Sequence, residues 1–239
     1  MELSVVVPVH NEEENLRGLI EEVVQALDGR GAYEIVYVDD ASTDGTLAKL
    51  RKLAGEFPQL RILRHGERCG QSTAILTGVG AAQAEWVATL DGDGQNDPKD
   101  ILKLLAERDR LDDPKLAMLA GWRQKRQDTW VRRMSSRVAN AVRARMLKDA
   151  TPDTGCGLKL FRRSVFLRLP YFDHMHRFLP ALMRRAGAKV VCVPVEHRPR
   201  CAGRSKYGIN NRLWVGIVDL IGVSWLQRRA KIPHVTEVR

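Results

Sequence analysis

Between residue 1 and about residue 121 the chain alternates short apolar, often β-branched runs with longer stretches of helical period, and that alternation confines it to an α/β architecture. Leu3 to Val9, Tyr33 to Val38, Leu60 to Leu63, Glu85 to Leu90 and Leu116 to Ala120 read as strands. Several are apolar throughout, as parallel strands covered on both faces are. Asn11 followed by Glu14 reads as an N-cap with its returning carboxylate, opening a helix to about Leu27. Asp97-Pro98 repeats the logic before a helix carrying Ile101, Leu102 and Leu105. The expectation is a mostly parallel central sheet with helices on both faces.

The second half is patterned differently. Trp130 to Leu147 reads as a long basic helix, Leu158 to Phe161 as a short strand, His176 to Ala186 as a helix and Lys189 to Val195 as a strand, while Arg198 to Tyr207 reads as a basic loop. No repeat, low-complexity tract or Pro/Ser linker divides the chain. A catalytic domain over residues 1–211 and an apolar, basic segment over 212–239 are therefore expected.

The 39 Lys and Arg residues against 29 Asp and Glu leave a net charge of +10, which calls for anionic partners. Aromatic residues are 6% of the chain and no recognition-helix, zinc-finger or RNA-binding signature is present, so nucleic acid is not expected. Cys69, Cys156, Cys192 and Cys201 include no Cys-x-x-Cys pair, which excludes a zinc-ribbon reading and points to reduced thiols. The N-terminus opens directly on a strand-like run without a secretory pattern, so a cytoplasmic location is expected. Leu213 to Leu226 is too short for the roughly 20 apolar residues of a membrane span. Flanked by Arg212, Arg228, Arg229 and Lys231, it fits either a membrane interface or a core or dimer helix.

Three strand ends carry polar clusters. The first reads Pro8-Val9-His10-Asn11-Glu12 and lacks the Gly-x-Gly-x-x-Gly turn of a dinucleotide site; Gly78-x-Gly80 follows a helical pattern and reads as helix packing. The second, Asp39-Asp40-Ala41-Ser42-Thr43-Asp44, puts carboxylates at a strand's carboxyl edge, where open α/β sheets hold ligands, with Ser42 and Asp44 reading as helix caps. The third is Asp91-Gly92-Asp93-Gly94-Gln95. Two unpaired carboxylates cannot continue a buried strand, so the chain must turn there, and both can aim at one hard cation with Gln95 as a further oxygen ligand. A cation held this way would neutralise a substrate diphosphate.

In this order and at these separations the three clusters resemble the family 2 glycosyltransferases of GT-A fold, a likeness that runs through almost the whole chain. Within that family, Ala120-Gly121-Trp122-Arg123, the Arg132/Ser136 pair, Asp153-Thr154-Gly155-Cys156-Gly157 and Arg200-x-x-Gly203-x-Ser205-Lys206-Tyr207-Gly208 look like the dolichol-phosphate mannose synthase and undecaprenyl-phosphate sugar transferase group. The resemblance implies inverting transfer of a sugar from a nucleotide-diphosphate sugar to a polyprenyl phosphate. It places Pro8, His10 and Glu12 around the nucleotide, His10 standing where many relatives have Tyr. Asp39 and Asp40 would read the base. Asp91 and Asp93, with Gln95, would coordinate Mg2+ or Mn2+. Arg123, Arg132 and Ser136 would hold the lipid phosphate, and Arg200 and Lys206 would close over the phosphates.

Side-chain chemistry agrees. Arg132 and Ser136 are four apart on an expected helix and can converge on one phosphate. Asp153 reads as structural, orienting a turn or an Arg. A phosphate monoester is already ionised near neutral pH and needs no general base, and none is evident. Two alternatives stand: a family 2 enzyme acting on a saccharide hydroxyl, and a non-catalytic basic protein that binds phosphates or nucleic acid. Relatives often continue into transmembrane helices. This chain ends at Arg239 without them, so peripheral contact with the cytoplasmic face of an anionic membrane, or a membrane-protein partner, is expected. The sugar, the base and the oligomeric state are left open.

Overall fold

The computed structural model describes residues 1–123, 143–147, 149, 151–199, 209–233 and 236–237, and the side chains of 209–214 lie outside that description. Seven strands form one sheet: β1 (Leu3–Val9), β2 (Tyr33–Asp39), β3 (Leu60–Arg64), β4 (Trp86–Thr89), β5 (Leu116–Arg123), β6 (Lys159–Arg162) and β7 (Lys189–Val195). Their order is β3-β2-β1-β4-β6-β5-β7. All pairings are parallel except those of β6, which runs antiparallel to both β4 and β5.

Alternation along the strands builds a core on each face. Val5, Val7 and Val9 of β1 pack with Leu16, Leu19, Ile20 and Val23 of α1 (Leu16–Leu27) and with Ile101 and Leu104 of α4 (Asp100–Leu111). Leu50 and Leu53 of α2 (Thr46–Ala54) join that side. Val6, Val36 and Val38 point the other way, against Ala74, Ile75 and Val79 of α3 (Gln71–Ala81). A short α5 (Arg163–Phe166) and α6 (Leu179–Arg185) extend this second layer, with the Phe161 and Phe166 rings stacked at 4.9 Å. A Cβ on Gly78 would stand 2.4 Å from Val6 Cγ1, so α3 lies against β1 at a distance only glycine allows there. Gly78 is thus a packing residue, as read from the sequence. Gly80 has open space around it and does not share that role.

The long α7 (Ile209–Arg229) closes the second layer. Val223 is buried in that core, Arg185 donates to the Leu226 carbonyl at 2.9 Å and Gln227 to the Leu147 carbonyl at 3.0 Å. Ile217, Val218, Ile221 and Trp225 stay exposed on its other side. Among the described residues no helix is long and apolar enough to cross a membrane.

The sheet splits where the chemistry is expected. β4 pairs with β1 from Leu3↔Trp86 to Val6↔Thr89, followed by Leu90 N–H donating to Val6 O at 3.1 Å. On its other edge β1 stays joined to β2 through Val9↔Asp39, and Asp40 N–H donates to Val9 O at 2.8 Å. Pro8 therefore lies beyond the last β4 pairing, where its missing N–H costs no ladder bond on that side. Winding reverses between β1 and β4, and the crevice they open is where a doubly wound sheet holds ligands.

Two expected helix caps serve other partners. Asn11 does not cap α1: it sits at φ 55°, and its side chain crosses to the β2–α2 loop, accepting from Thr43 N–H at 2.7 Å. The helix opens later, with a 3-10 turn at Glu13–Asn15. Ser42 is likewise not a cap, since its hydroxyl accepts from Asn11 N–H at 2.9 Å. Asp44 does accept from Thr46 N–H at 3.0 Å, in the first turn of α2. Asp97 holds Lys99 N–H at 2.9 Å just before α4, which begins at Asp100.

Candidate active site

The first two clusters are stitched together. His10 Nδ1 lies 2.8 Å from the Asp40 carbonyl oxygen, Glu12 N–H donates to Thr46 Oγ1 at 2.9 Å, and Asn15 Nδ2 donates to Glu12 Oε2 at 2.7 Å. Asp39 is fully buried; Oδ1 accepts from Ser42 N–H at 3.0 Å, while Oδ2 has no hydrogen bond and lies 3.6 Å from Arg64 Nε. Asp40 is committed to the β3–α3 loop. Its Oδ1 accepts from His65 Nδ1 at 2.7 Å and from Cys69 N–H at 2.8 Å, and Oδ2 from Gly70 N–H at 2.8 Å. Burial alone would raise the Asp40 carboxyl, but these donors outweigh it and hold it below its ordinary value. His65 and Cys69 stand close enough to Asp40 to resemble metal ligands, yet both Asp40 oxygens already carry protein donors.

The third cluster turns at the end of β4. Gly94 takes φ 72°, and a Cβ on Gly92 would meet Val9 Cγ1 at 2.5 Å, so the loop folds tightly over β1. Asp93 is buried, with Oδ1 accepting from Gln95 N–H at 3.1 Å. Asp91 Oδ1 accepts from Gln71 Nε2 at 2.8 Å, at the first turn of α3. Burial first, and then the Asp93 charge, push the Asp91 carboxyl above its ordinary value, against the pull of Lys159 and Arg123. Two carboxylates crowded against each other, with the Gln95 amide in the same turn, fit a hard divalent cation, whose binding relieves that repulsion.

The antiparallel β6 and the segment before it bring in the cations. Arg123 forks onto Asp153, Nε to Oδ2 at 2.6 Å and Nη2 to Oδ1 at 2.9 Å, and Asp153 Oδ1 also accepts from Gly155 N–H at 3.2 Å. Asp153 thus orients both a turn and an Arg, as expected. Lys159, buried in β6, donates to the Cys156 carbonyl. After β7, Arg198 N–H donates to Gln95 O at 3.0 Å and its guanidinium pairs with Glu22 and Asp97, which ties Arg198 to the rim of the acidic loop. Arg132, Ser136, Arg200 and Lys206 lie outside the described residues, as does most of the basic stretch 130–147.

The structure therefore sets Pro8, His10, Glu12, Asp39, Asp40, Asp91, Asp93 and Gln95 at or just beyond the carboxyl ends of the adjacent strands β1, β2 and β4, and Arg123 at the end of β5. Sequence reasoning does not single out Gln71 or Lys159; it takes Gly157 only as part of the Asp153 motif and reads His176 as a packed histidine before a ligand. A Cβ on Gly157 would stand 2.2 Å from Asp91 Oδ2, so that glycine borders the acidic cluster directly. Their only sequence signal is position, Gly157 and Lys159 within or just after the Asp153 motif and Gln71 at a helix start behind Gly70.

The family model for glycosyl transferase family 2 matches residues 4–169. The chain is 38% identical over 238 residues to a dodecaprenyl-phosphate galacturonate synthase of Rhizobium johnstonii, covering 98% of this chain and 69% of that one. It is 35% identical over 210 residues to an undecaprenyl-phosphate 4-deoxy-4-formamido-L-arabinose transferase of Edwardsiella ictaluri, covering 87% and 63%. The chain thus spans about two thirds of the length of the curated relatives it matches. Among solved structures, the mannosyltransferase PcManGT from Pyrobaculum calidifontis, in complex with GDP-Man and Mn2+, superposes with a TM-score of 0.71 at 24% identity, covering 97% of this chain and 66% of that one. Glucosyl-3-phosphoglycerate synthase from Mycobacterium tuberculosis, with Mg2+ and UDP, gives 0.69 at 18% identity, covering 98% and 80%. The likeness to both places the sheet among GT-A folds, and with the family match spanning well over half its length, the chain belongs to glycosyltransferase family 2.

Proposed function

We propose that the chain transfers a sugar from a nucleotide-diphosphate sugar to a polyprenyl phosphate, with inversion at the anomeric carbon. The observation that carries this reading is the Asp91–Asp93 turn at the β1/β4 crevice, flanked by the acidic end of β2 on one side and by Arg123 on the other. Relatives at 35–38% identity are polyprenyl-phosphate sugar transferases, which supports the acceptor class.

In this reading Pro8, His10 and Glu12 border the nucleotide. Asp39, with one buried oxygen lacking a hydrogen bond, is better placed than Asp40 to accept a base N–H, because both Asp40 oxygens already serve the loop. Asp91 and Asp93, with Gln95, would hold Mg2+ or Mn2+, and when bound the ion would neutralise charge on the leaving nucleoside diphosphate. An acceptor phosphate oxygen attacks C1 of the sugar, the bond from C1 to the diphosphate oxygen breaks with its electron pair, and a sugar–phosphate diester forms. The acceptor is already ionised near neutral pH, so positioning replaces proton removal. Arg123, held in one rotamer by Asp153, would present its remaining N–H groups to that phosphate, joined by Arg132 and Ser136, while Arg200 and Lys206 would close over the diphosphate.

The lipid acceptor requires a membrane, and α7 offers the matching surface. Ile217, Val218, Ile221 and Trp225 form an exposed apolar stripe that ends at Arg228 and Arg229, a fit to the interface of an anionic bilayer. The test is a purified chain, Mn2+, a panel of nucleotide sugars and a short-chain polyprenyl phosphate. A lipid-linked sugar that disappears with EDTA and in Asp93→Ala is expected. Transfer to free saccharides but not to the lipid would overturn the acceptor assignment.

A further inference from the structure

Behind the Asp91 carboxylate, on the side of the sheet that carries α3, lies a cavity of about 230 Å³. Its walls include Gln71, Gly157, Lys159, His176 and Arg177, with Asp91 at the end nearest the acidic turn. At a liquid share of about 30 Å³ per water it has room for roughly eight waters, or one pyranose ring. A sugar hanging from a diphosphate at Asp91 and Asp93 has this cavity beside it.

Two cations, Lys159 and Arg177, share its lining with one carboxylate, Asp91. Arg123 is matched by Asp153 and buried Arg143 by Asp149, each through close ion pairs. Lys159 is 5% exposed, its ammonium donates to the Cys156 carbonyl, and among the described residues no carboxylate lies within 4 Å of it. Burial pulls the Lys159 ammonium below its ordinary value, against the attraction of Asp91 and Asp153 beyond contact distance, so an anion brought into contact would stabilise its charge. Arg177, in the same wall, adds a second cation. Burial, together with Lys159 and Arg177, drives the His176 imidazole well below its ordinary value, so it stays neutral beside them and shares a 2.7 Å hydrogen bond with Ser72.

We propose that this cavity receives the donor's sugar and that Lys159, aided by Arg177, selects a sugar bearing a carboxylate, a hexuronic acid. The proposal rests on the reading that the donor diphosphate sits at Asp91 and Asp93. The two relatives named above act on different sugars, one a uronate and one a formamido sugar, so the family alone does not fix this choice. The basic cavity favours the acid.

The experiment compares UDP-galacturonate and UDP-glucuronate with UDP-galactose, UDP-glucose and GDP-mannose as donors to a polyprenyl phosphate with Mn2+. Donor binding without acceptor is followed in parallel by calorimetry. A uronate is expected to exceed its neutral counterpart at least tenfold in kcat/KM and in affinity. Lys159→Met should remove most of that preference and Lys159→Arg should keep it. Arg177→Gln, at a partly exposed position, should lower it severalfold and carries the test if Lys159→Met fails to fold. Equal or better use of neutral sugars, or a preference unchanged in the foldable variants, overturns the inference while leaving polyprenyl-phosphate transfer intact. Absence of lipid-linked product from every donor overturns both.

Discussion

Replacing Gly157 with alanine perturbs the acidic turn from a residue that is not itself a ligand. The new Cβ would stand 2.2 Å from Asp91 Oδ2, 2.3 Å from Cγ and 2.6 Å from Oδ1, and no backbone atom is among these nearest contacts. Gly157 does not occupy the left-handed region, so alanine imposes no backbone strain. The clash must be absorbed by the Asp91 side chain. Ordinary contact begins near 3.4 Å, so the carboxylate has to retreat by about 1 Å, a displacement that can cost roughly a hundredfold in rate when it moves a group that positions substrate. Stability should change by no more than about 1 kcal/mol, because one side chain of the acidic turn moves and the backbone and apolar core do not. Rates of lipid-linked sugar formation, Mn2+ affinity by calorimetry and urea unfolding separate these effects. A Gly157→Ala chain that keeps its rate within threefold and its Mn2+ affinity unchanged refutes the argument. So does one destabilised by more than about 3 kcal/mol, since the strain would then have gone into the fold.

Asp153→Ala should destabilise by about 3–5 kcal/mol in urea titrations, because it strands the guanidinium of Arg123, which is only 12% exposed in the pair; a loss under about 1 kcal/mol would show that the pair is not what holds Arg123. Tyr37→Phe should be neutral or up to about 1 kcal/mol stabilising, since the Tyr37 hydroxyl is buried without a hydrogen-bond partner, and a clear destabilisation would reveal a partner after all. Asp40, held below its ordinary value in the folded chain, contributes stability that is complete above an unfolded value near 3.9 and is lost as pH falls through the lower folded value. Urea midpoints measured between about pH 5 and pH 2 should therefore fall less steeply in Asp40→Asn than in the parent chain.

Strands and faces were legible because burial on both sides of a parallel sheet leaves uninterrupted apolar runs. Leu3–Val9 and Lys189–Val195 have the same ends in sequence and structure, and the other strands differ by one to three residues. The helix start at Asn11 was not legible: the capping pattern is local, whereas the Asn11 amide is recruited by Thr43 across 32 positions. The same limit explains the site. Strand-end carboxylates announce a crevice, but nothing local says that β6 inserts antiparallel between β4 and β5. That insertion carries Lys159 to the wall behind Asp91 and seats Gly157, just before the strand, against the Asp91 carboxylate. Nor does the sequence show that Asp40 spends its oxygens on residues 65–70.

The rim of the crevice holds more carboxylates than a metal-diphosphate site needs, and their partners divide the work. Asp40 takes two backbone N–H groups and an imidazole, Asp44 caps α2, Asp97 serves α4 and Arg198, and Asp153 locks Arg123. Each fixes a loop whose position matters to the crevice. Asp91 differs in kind: the donor on its Oδ1 is a neutral amide, its neighbour Asp93 repels it, and Gly157 leaves just enough room for its carboxylate. A fold does not keep like charges together for stability alone, since apolar packing or an ion pair would serve better. The cost is borne where the parallel strands part and a doubly wound sheet presents its ligand, which supports the proposal that the substrate diphosphate sits at the acidic turn rather than at the more numerous structural aspartates around it.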